Sequence, residues 1–213
     1  MAGDAPGEGE LATYPPGTSP FRGKGLIYLA SKQFAEQQLP GGWAGVLDHV
    51  RYDDELTRFL GQPFLAASWY DALPMAPLTR AGARAAGLSL AVFSRRRGEW
   101  QAQHDVRGVY QTLLRLTSPE VVVERIVRVT SQLFDFGSAR LEQLGERHFR
   151  LVRAGVPRPL VSWYAALSEP YCLRLLRLAG AQDPVFRPDP VVADDGIAHG
   201  VPTFSISYEA RWR

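Results

Sequence analysis

The stretch Thr203–Trp212, TFSISYEARW, decides the fold class. Apolar or aromatic side chains occupy every second position, and hydroxyl or charged side chains occupy the positions between them. Successive side chains of a β-strand point to opposite faces, so this alternation predicts a strand with one buried and one solvated face. Such one-sided burial is typical of antiparallel sheets. We therefore expect the chain to end in an antiparallel sheet.

A predicted hairpin precedes this strand. Arg140–Leu144 and Arg147–Arg153 are alternating runs on either side of Gly145–Glu146. Glycine supplies the positive φ that tight hairpin turns require, which favours a turn at this point. A further short strand is predicted at Val185–Phe186. These strands would pair with the terminal strand in one sheet.

A long helix is predicted between the hairpin and the last strands. Leu160–Leu178 keeps the apolar spacing of a helix with one buried face, and a glycine follows it. Pro170 lies inside this pattern. Proline removes a helical hydrogen bond, so the helix is either kinked there or split, with Ser168 as a second N-cap.

The N-terminal half is predicted to be mainly helical. Lys24–Ala30 has the composition of a short strand, and Ser31 is placed to cap a helix that follows it. Further helices are expected near 43–50, from Asp53, over Thr79–Ala86, from Leu88, and from Trp100 after a break at Gly98. Ser118 and Pro119 form a typical helix start, with serine as the cap and proline in the first turn.

The sequence predicts one α+β domain after a flexible tail. Residues 1–20 contain four prolines, four glycines and few large apolar side chains, so we expect residues 1–22 to form a flexible tail. Residues 23–213 are predicted to form a single domain in which N-terminal helices pack with a C-terminal antiparallel sheet and a long helix.

Composition excludes several classes of function. The 24 basic and 22 acidic residues leave a net charge of +2, which is no electrostatic footprint for nucleic acid. Cys172 is the only cysteine, so the chain can form no internal disulfide and no multi-cysteine zinc site. The sequence shows neither a secretory signal nor an apolar run long enough to span a membrane. A cytoplasmic location is expected.

No catalytic motif is present, and we expect the protein not to be an enzyme. The sequence lacks a Gly-x-Ser-x-Gly stretch, a phosphate-binding loop and a dinucleotide-binding glycine motif. The alternative hypothesis is an enzyme whose acid and base groups are dispersed along the chain. The only set that could be assembled is His104, Asp105, Asp194, Asp195 and His199.

A family resemblance covers the C-terminal part of the chain. Residues 135–213 include DFGSARLEQLGERHFRLVRAGVPRPLVSWYAAL, LRLLRLAGAQDPVF and GVPTFSISYEARW. This segment resembles the module shared by heme-NO-binding-like domains, 4-vinyl-reductase-type ligand-sensing domains and the TRAPP vesicle-tethering fold. Over its whole length the chain also resembles a paralogous family of uncharacterised proteins from fruiting-body-forming bacteria, at Phe59–Leu60, Trp69–Tyr70, Val109–Leu114 and Leu178–Ala181. The resemblance implies a bacterial ligand-sensing domain that forms a homodimer.

The sequence departs from the heme-binding branch of that resemblance. That branch uses a proximal histidine and a Tyr-x-Ser-x-Arg motif, whereas the nearest stretch here, Tyr208–Arg211, has a different spacing. The terminal hairpin also lacks the cysteines often found in the 4-vinyl-reductase type. We therefore expect no metal and no cofactor. A heme-based gas sensor with His104 as the axial ligand is an alternative hypothesis.

Aromatic side chains and one arginine run are the remaining candidates for binding. The aromatic set either lines an apolar cavity or, as in most proteins, fills the core; it comprises Trp69, Tyr70, Trp100, His104, Tyr110, Trp163, Tyr164 and Tyr171. Arg95, Arg96 and Arg97 either complement a helix dipole or bind an anion or a partner protein. We expect a non-catalytic cytoplasmic sensor or adaptor in bacterial signalling that binds a small apolar ligand or a partner protein.

Overall fold

The computed structural model describes residues 13–105, 117–189 and 192–213. The helices in these ranges are α1 (Leu26–Gln38), α2 (Gly42–Asp48), α3 (Asp54–Gly61), α4 (Met75–Ala85), α5 (Leu90–Asp105), α6 (Pro119–Leu133) and α7 (Val161–Leu178). The strands are β1 (Arg22–Lys24), β2 (Trp69–Asp71), β3 (Ser138–Gly145), β4 (His148–Pro157), β5 (Val185–Pro188), β6 (Ala193–Ala198) and β7 (Val201–Arg211).

The predicted C-terminal sheet is confirmed. Its strands run in the order β3-β4-β7-β5, all antiparallel, and β6 also pairs with β7. Strand β7 is central, and its alternation has the expected consequence: Ile206, Tyr208 and Ala210 are buried, while Glu209 and Arg211 are exposed. The buried face packs against helices, which gives the α+β architecture that the sequence predicts.

The predicted hairpin is also confirmed, and its second strand carries a bulge. The β4–β7 register shifts between Arg153 and Val156. Gly155 has a φ of 67° at this point, a left-handed conformation that glycine adopts without strain. The bulge lies beside Gly137, which also has a positive φ and sits close to the backbone of Gly155.

Helices α5 and α7 approach each other closely at a glycine. A Cβ on Gly98 would lie 2.6 Å from Pro170 Cγ and 2.8 Å from the carbonyl oxygen of Leu167. The prediction of a helix break at Gly98 is therefore wrong, because the glycine allows close packing inside one continuous helix. Pro170 likewise lies within a single assigned helix, so the long helix is confirmed and is not split at Ser168.

The first helix begins earlier than predicted. Leu26–Ala30 was expected to be a strand, but only Arg22–Lys24 is extended and α1 starts at Leu26. The early start of the helix reflects close packing at Gly25. A Cβ on Gly25 would lie 2.2 Å from the carbonyl oxygen of Leu65. The 62–68 connection thus crosses directly over Gly25, and the chain turns there into the helix.

The segment from residue 13 to residue 22 is packed rather than loose. Ser19 and Phe21 are buried, which corrects the expectation that the flexible tail extends to residue 22. Asp71, at the end of β2, holds the segment in place. Its Oδ2 accepts hydrogen bonds from the backbone amides of Gly17 (2.9 Å) and Ser19 (3.1 Å), and its Oδ1 accepts one from the Ser19 hydroxyl.

The start of α6 is confirmed. Ser118 is the N-cap, its hydroxyl accepts a hydrogen bond from the Val121 amide, and Pro119 occupies the first turn. The helix ends at Phe134, where the chain enters the segment leading to β3. Helix α6 therefore joins the helical half directly to the first strand of the sheet.

Candidate functional site

A cavity of about 220 Å³ lies among α1, α5, α6 and α7. Three of these helices contribute mainly apolar side chains to its wall: Leu26, Ile27 and Ala30 from α1, Val122, Ile126, Val129 and Leu133 from α6, and Trp163, Leu167, Cys172 and Leu175 from α7. Small-molecule pockets commonly measure about 300–1,000 Å³. The size of this cavity therefore suits a compact ligand.

Helix α5 contributes polar side chains to the wall. Arg97, Gln101 and Asp105 are spaced four residues apart, so they lie along one face of the helix. Gln101 Nε2 donates to Asp105 Oδ1 at 2.6 Å, and the Tyr171 hydroxyl donates to Asp105 Oδ2 at 3.2 Å. Burial raises the pKa of Asp105, although these hydrogen bonds act in the opposite direction. Gln101 Oε1 has no hydrogen-bond partner.

Arg97 is a buried cation at this wall. Its side chain is only 5% exposed, and its Nη2 donates to Ser31 Oγ at 3.0 Å. Its Nε has no partner. Burial lowers the pKa of Arg97 to about 10, while the charge of Asp105 acts to raise it, so the guanidinium is still charged at neutral pH. Arg97 also borders a second cavity of about 20 Å³, between α1, α2, α4 and α5.

Aromatic side chains close another side of the cavity. Trp163, Tyr164 and Phe134 line it, and their rings contact one another edge to face. The Tyr164 hydroxyl lies 3.4 Å from Thr130 Oγ1, and burial raises the pKa of Tyr164. The indole Nε1 of Trp163 is buried and has no hydrogen-bond partner. This wall therefore offers one unpaired donor.

Arg153 lies behind the aromatic wall and donates three hydrogen bonds to backbone carbonyls, while its buried Nε has no recorded partner. Its Nη2 donates to the Phe136 carbonyl at 2.6 Å, and its Nη1 donates to the carbonyls of Ser138 and Ala154 at 3.1 and 3.2 Å. The guanidinium carbon also lies 5.7 Å from the centre of the Tyr164 ring. Arg153 therefore connects the cavity wall to the β3–β4 hairpin.

The structure brings together three of the aromatic residues singled out from the sequence. Trp163, Tyr164 and Tyr171 line the cavity. Tyr110 lies outside the described residues. The remaining four are elsewhere: Trp69 is 40% exposed under Lys24 Nζ, Tyr70 packs on Phe64, and Trp100 and His104 stack on each other beside Phe34.

The three consecutive arginines point in different directions around helix α5. Arg95 and Arg96 are exposed, whereas Arg97 is buried, so the three side chains do not share one environment. Sequence analysis also missed Gln101 and Thr130 as lining residues. The four-residue spacing of Arg97, Gln101 and Asp105 could have indicated a common helix face.

The dispersed acid–base set is not assembled at the cavity. Of its five members, Asp105 alone lines the cavity. Asp194 and Asp195 lie on β6, where Asp195 accepts hydrogen bonds from the Gly155 amide and from Ser205 Oγ. His104 stacks on Trp100, while His199 contacts Phe21. Within the described ranges, no group of three or more histidine, cysteine, aspartate or glutamate side chains could hold a metal ion.

No helix in the described part of the chain combines the length and hydropathy needed to cross a lipid bilayer.

Comparison with known proteins identifies the fold. No family model and no curated protein matches the sequence. Among solved structures, the chain is similar to the Fe(II) unliganded H-NOX protein from K. algicida, with a TM-score of 0.56, 12% identity, and coverage of 89% of this chain and 96% of that chain. It is also similar to the H-NOX from Shewanella woodyi in the Fe(II)CO state, with a TM-score of 0.57, 13% identity, and coverage of 89% and 94%. The expected resemblance to heme-NO-binding domains is thus confirmed for the fold.

The described lining of the cavity does not fit a heme. It contains no histidine, and His104 is not among the side chains that line it. Burial raises the pKa values of the Cys172 thiol and of the Tyr164 and Tyr171 hydroxyls, so these groups are neutral in the ligand-free cavity. A cavity of about 220 Å³ is also too small for a porphyrin macrocycle. The side chains instead favour a compact organic ligand.

Proposed function

We propose that this domain is a non-catalytic cytoplasmic sensor or adaptor that binds a small apolar ligand in the cavity between α1, α5, α6 and α7. The observation that carries the proposal is the cavity itself, which three helices line with mainly apolar side chains. Apolar cavities with a few polar groups are the usual form of small-molecule sites. The absence of recognisable catalytic motifs in the sequence supports a binding role, and the single cysteine fits a reducing compartment.

The site also has a physical connection to the sheet, as a sensor requires. Phe134 lines the cavity at the end of α6, and its ring packs against Phe136. The Phe136 carbonyl accepts a hydrogen bond from Arg153 on β4. A ligand that displaces Phe134 would therefore act on the start of the β3–β4 hairpin. Exposed Arg95 and Arg96, on the outer face of α5, are the proposed contacts for a partner protein.

A cavity-filling substitution tests this proposal. Ile126 is partly buried on α6 and lines the cavity, so Ile126→Phe is expected to occupy space that the ligand needs. With 1-octanol as the probe, isothermal titration calorimetry should show one-site binding to the wild type and at least tenfold weaker binding to Ile126→Phe.

The matched control is Val121→Phe. Val121 is on the same helix, is 37% exposed and does not line the cavity, so the control should bind 1-octanol as the wild type does. Equal binding by wild type and Ile126→Phe would show that the probe binds elsewhere. An absence of 1-octanol binding to the wild type would also contradict the proposal.

A further inference from the structure

Two residues that line the cavity each carry a buried donor without a recorded partner. Arg97 Nε and Trp163 Nε1 are buried, have no hydrogen-bond partner, and belong to residues that line it. Both residues are more than nine-tenths buried, at 5% and 6% exposure. A buried donor without a partner is destabilising, and more so when it is charged. The lining therefore favours a ligand that supplies an acceptor.

Among the described residues Arg97 makes fewer recorded hydrogen bonds than Arg153, although Nε lacks a partner in both. Buried Arg153 donates to three backbone carbonyls, as expected of an arginine that has a structural role. Arg97 has one recorded partner, Ser31, whose hydroxyl itself donates to the Ile27 carbonyl at 2.8 Å. A guanidinium carries five N–H donors. Arg97 thus has unused donors at the cavity wall.

Within the part of the chain that the structure describes, Arg97 forms no ion pair, and the nearest opposite charge acting on it is that of Asp105. Arg97 belongs to none of the ion pairs recorded among the described residues, which are all formed by other side chains. Asp105, two turns further along α5, is already hydrogen-bonded to Gln101 and Tyr171. An anionic group on the ligand would compensate the buried cation.

The cavity wall away from α5 indicates the chemistry of the ligand body. Away from α5 the wall is mainly apolar, formed by side chains such as Ile126, Leu167 and Leu175. The second cavity beside Arg97 measures about 20 Å³, close to the space that one water molecule needs. Only the larger cavity can therefore hold an apolar body next to the guanidinium.

We propose that the ligand is an apolar carboxylate whose body lies between α1, α6 and α7 and whose carboxylate binds Arg97, with Trp163 Nε1 as a second donor. This inference rests on the proposed function and names its ligand class. A guanidinium matches a carboxylate in shape because it can donate two parallel hydrogen bonds. A single negative charge suits the site, since nearby Asp105 would repel a doubly charged head group.

The test compares octanoate with 1-octanol, which has the same chain length but a neutral hydroxyl head. At neutral pH the wild type should bind octanoate at least tenfold more tightly than 1-octanol, as measured by isothermal titration calorimetry. Arg97→Met should bring this ratio to about one while leaving 1-octanol binding in place. Arg95→Met is the matched control: Arg95 is exposed on the same helix, so this variant should keep the wild-type ratio.

The outcomes separate this inference from the proposed function. Equal affinities of the wild type for the two probes would overturn the carboxylate assignment but leave the apolar site intact; this comparison needs no variant. Loss of the ratio in Arg125→Met but not in Arg97→Met would assign the head group to the exposed arginine on α6 and would also overturn the inference. If the wild type binds neither probe, both this inference and the proposed function are wrong.

Discussion

Replacing Arg153 with methionine is expected to lower the free energy of unfolding by roughly 3–5 kcal/mol, because several buried acceptors lose a charged donor together. Arg153 is 1% exposed, and its guanidinium donates to the carbonyls of Phe136, Ser138 and Ala154. Methionine fills similar space but donates nothing. The loss should appear as a lower urea midpoint and a melting temperature lower by roughly 10 °C.

Arg150→Met is the control for this substitution. Arg150 lies on the same strand, is about half-exposed and forms one ion pair with Glu142 at 3.3 Å. Exposed ion pairs contribute about 0–1 kcal/mol, so the control should change the unfolding free energy by no more than that. Equal effects of the two variants would show that the carbonyl contacts of Arg153 do not stabilise the hairpin.

Asp71→Ala is expected to have an effect of similar size at the other end of the fold. Asp71 is 1% exposed and accepts hydrogen bonds from the amides of Gly17, Ser19 and Leu73 and from the Ser19 hydroxyl. Hydrogen bonds to charged groups contribute about 1.5–3 kcal/mol each and are not additive. We expect a loss of roughly 4 kcal/mol in urea unfolding and faster proteolysis between residues 13 and 22.

Two further variants test whether the buried hydrogen bonds of Asp71 cause this loss of stability. Asp71→Asn should be nearly as destabilised as Asp71→Ala, because its amide group would turn a donor toward groups that are themselves donors. Asp48→Ala removes an exposed carboxylate paired with Arg51 and should cost about 1 kcal/mol or less. Slow proteolysis of both Asp71 variants would mean that other contacts hold residues 13–22 in place.

The sequence predicted the sheet because an alternation of apolar and polar residues over ten positions fits a strand and no helix. Thr203–Trp212 can bury its apolar side chains on one side only as a strand, and β7 does so from Ile206 onward, whereas Thr203 is buried and Phe204 only partly buried. Short apolar runs without alternation are less informative. Leu26–Ala30 is a continuous apolar run of five residues, which suits a short strand, but Ile27, Ala30 and Phe34 also fit the helical spacing that α1 adopts.

The candidate site was only partly predictable. Trp163, Tyr164 and Tyr171 share a helix whose apolar spacing is clear, and they meet at the cavity. The distinction between Arg95 and Arg97 depends on which side of α5 faces α1, and tertiary packing decides that. The predicted helix break at Gly98 was wrong for a related reason. The small size of Gly98 permits its contact with Pro170, and no local sequence pattern indicates that contact.

Native mass spectrometry of the full chain mixed with octanoate tests the central claim most directly. We expect one octanoate bound per chain in the wild type and in Val121→Phe. We expect none in Ile126→Phe, because the larger side chain fills the cavity. The same spectrum counts chains per particle and so tests the predicted homodimer. A wild-type spectrum showing only the bare chain, or equal octanoate binding by Ile126→Phe, would contradict the claim that this cavity is a ligand site.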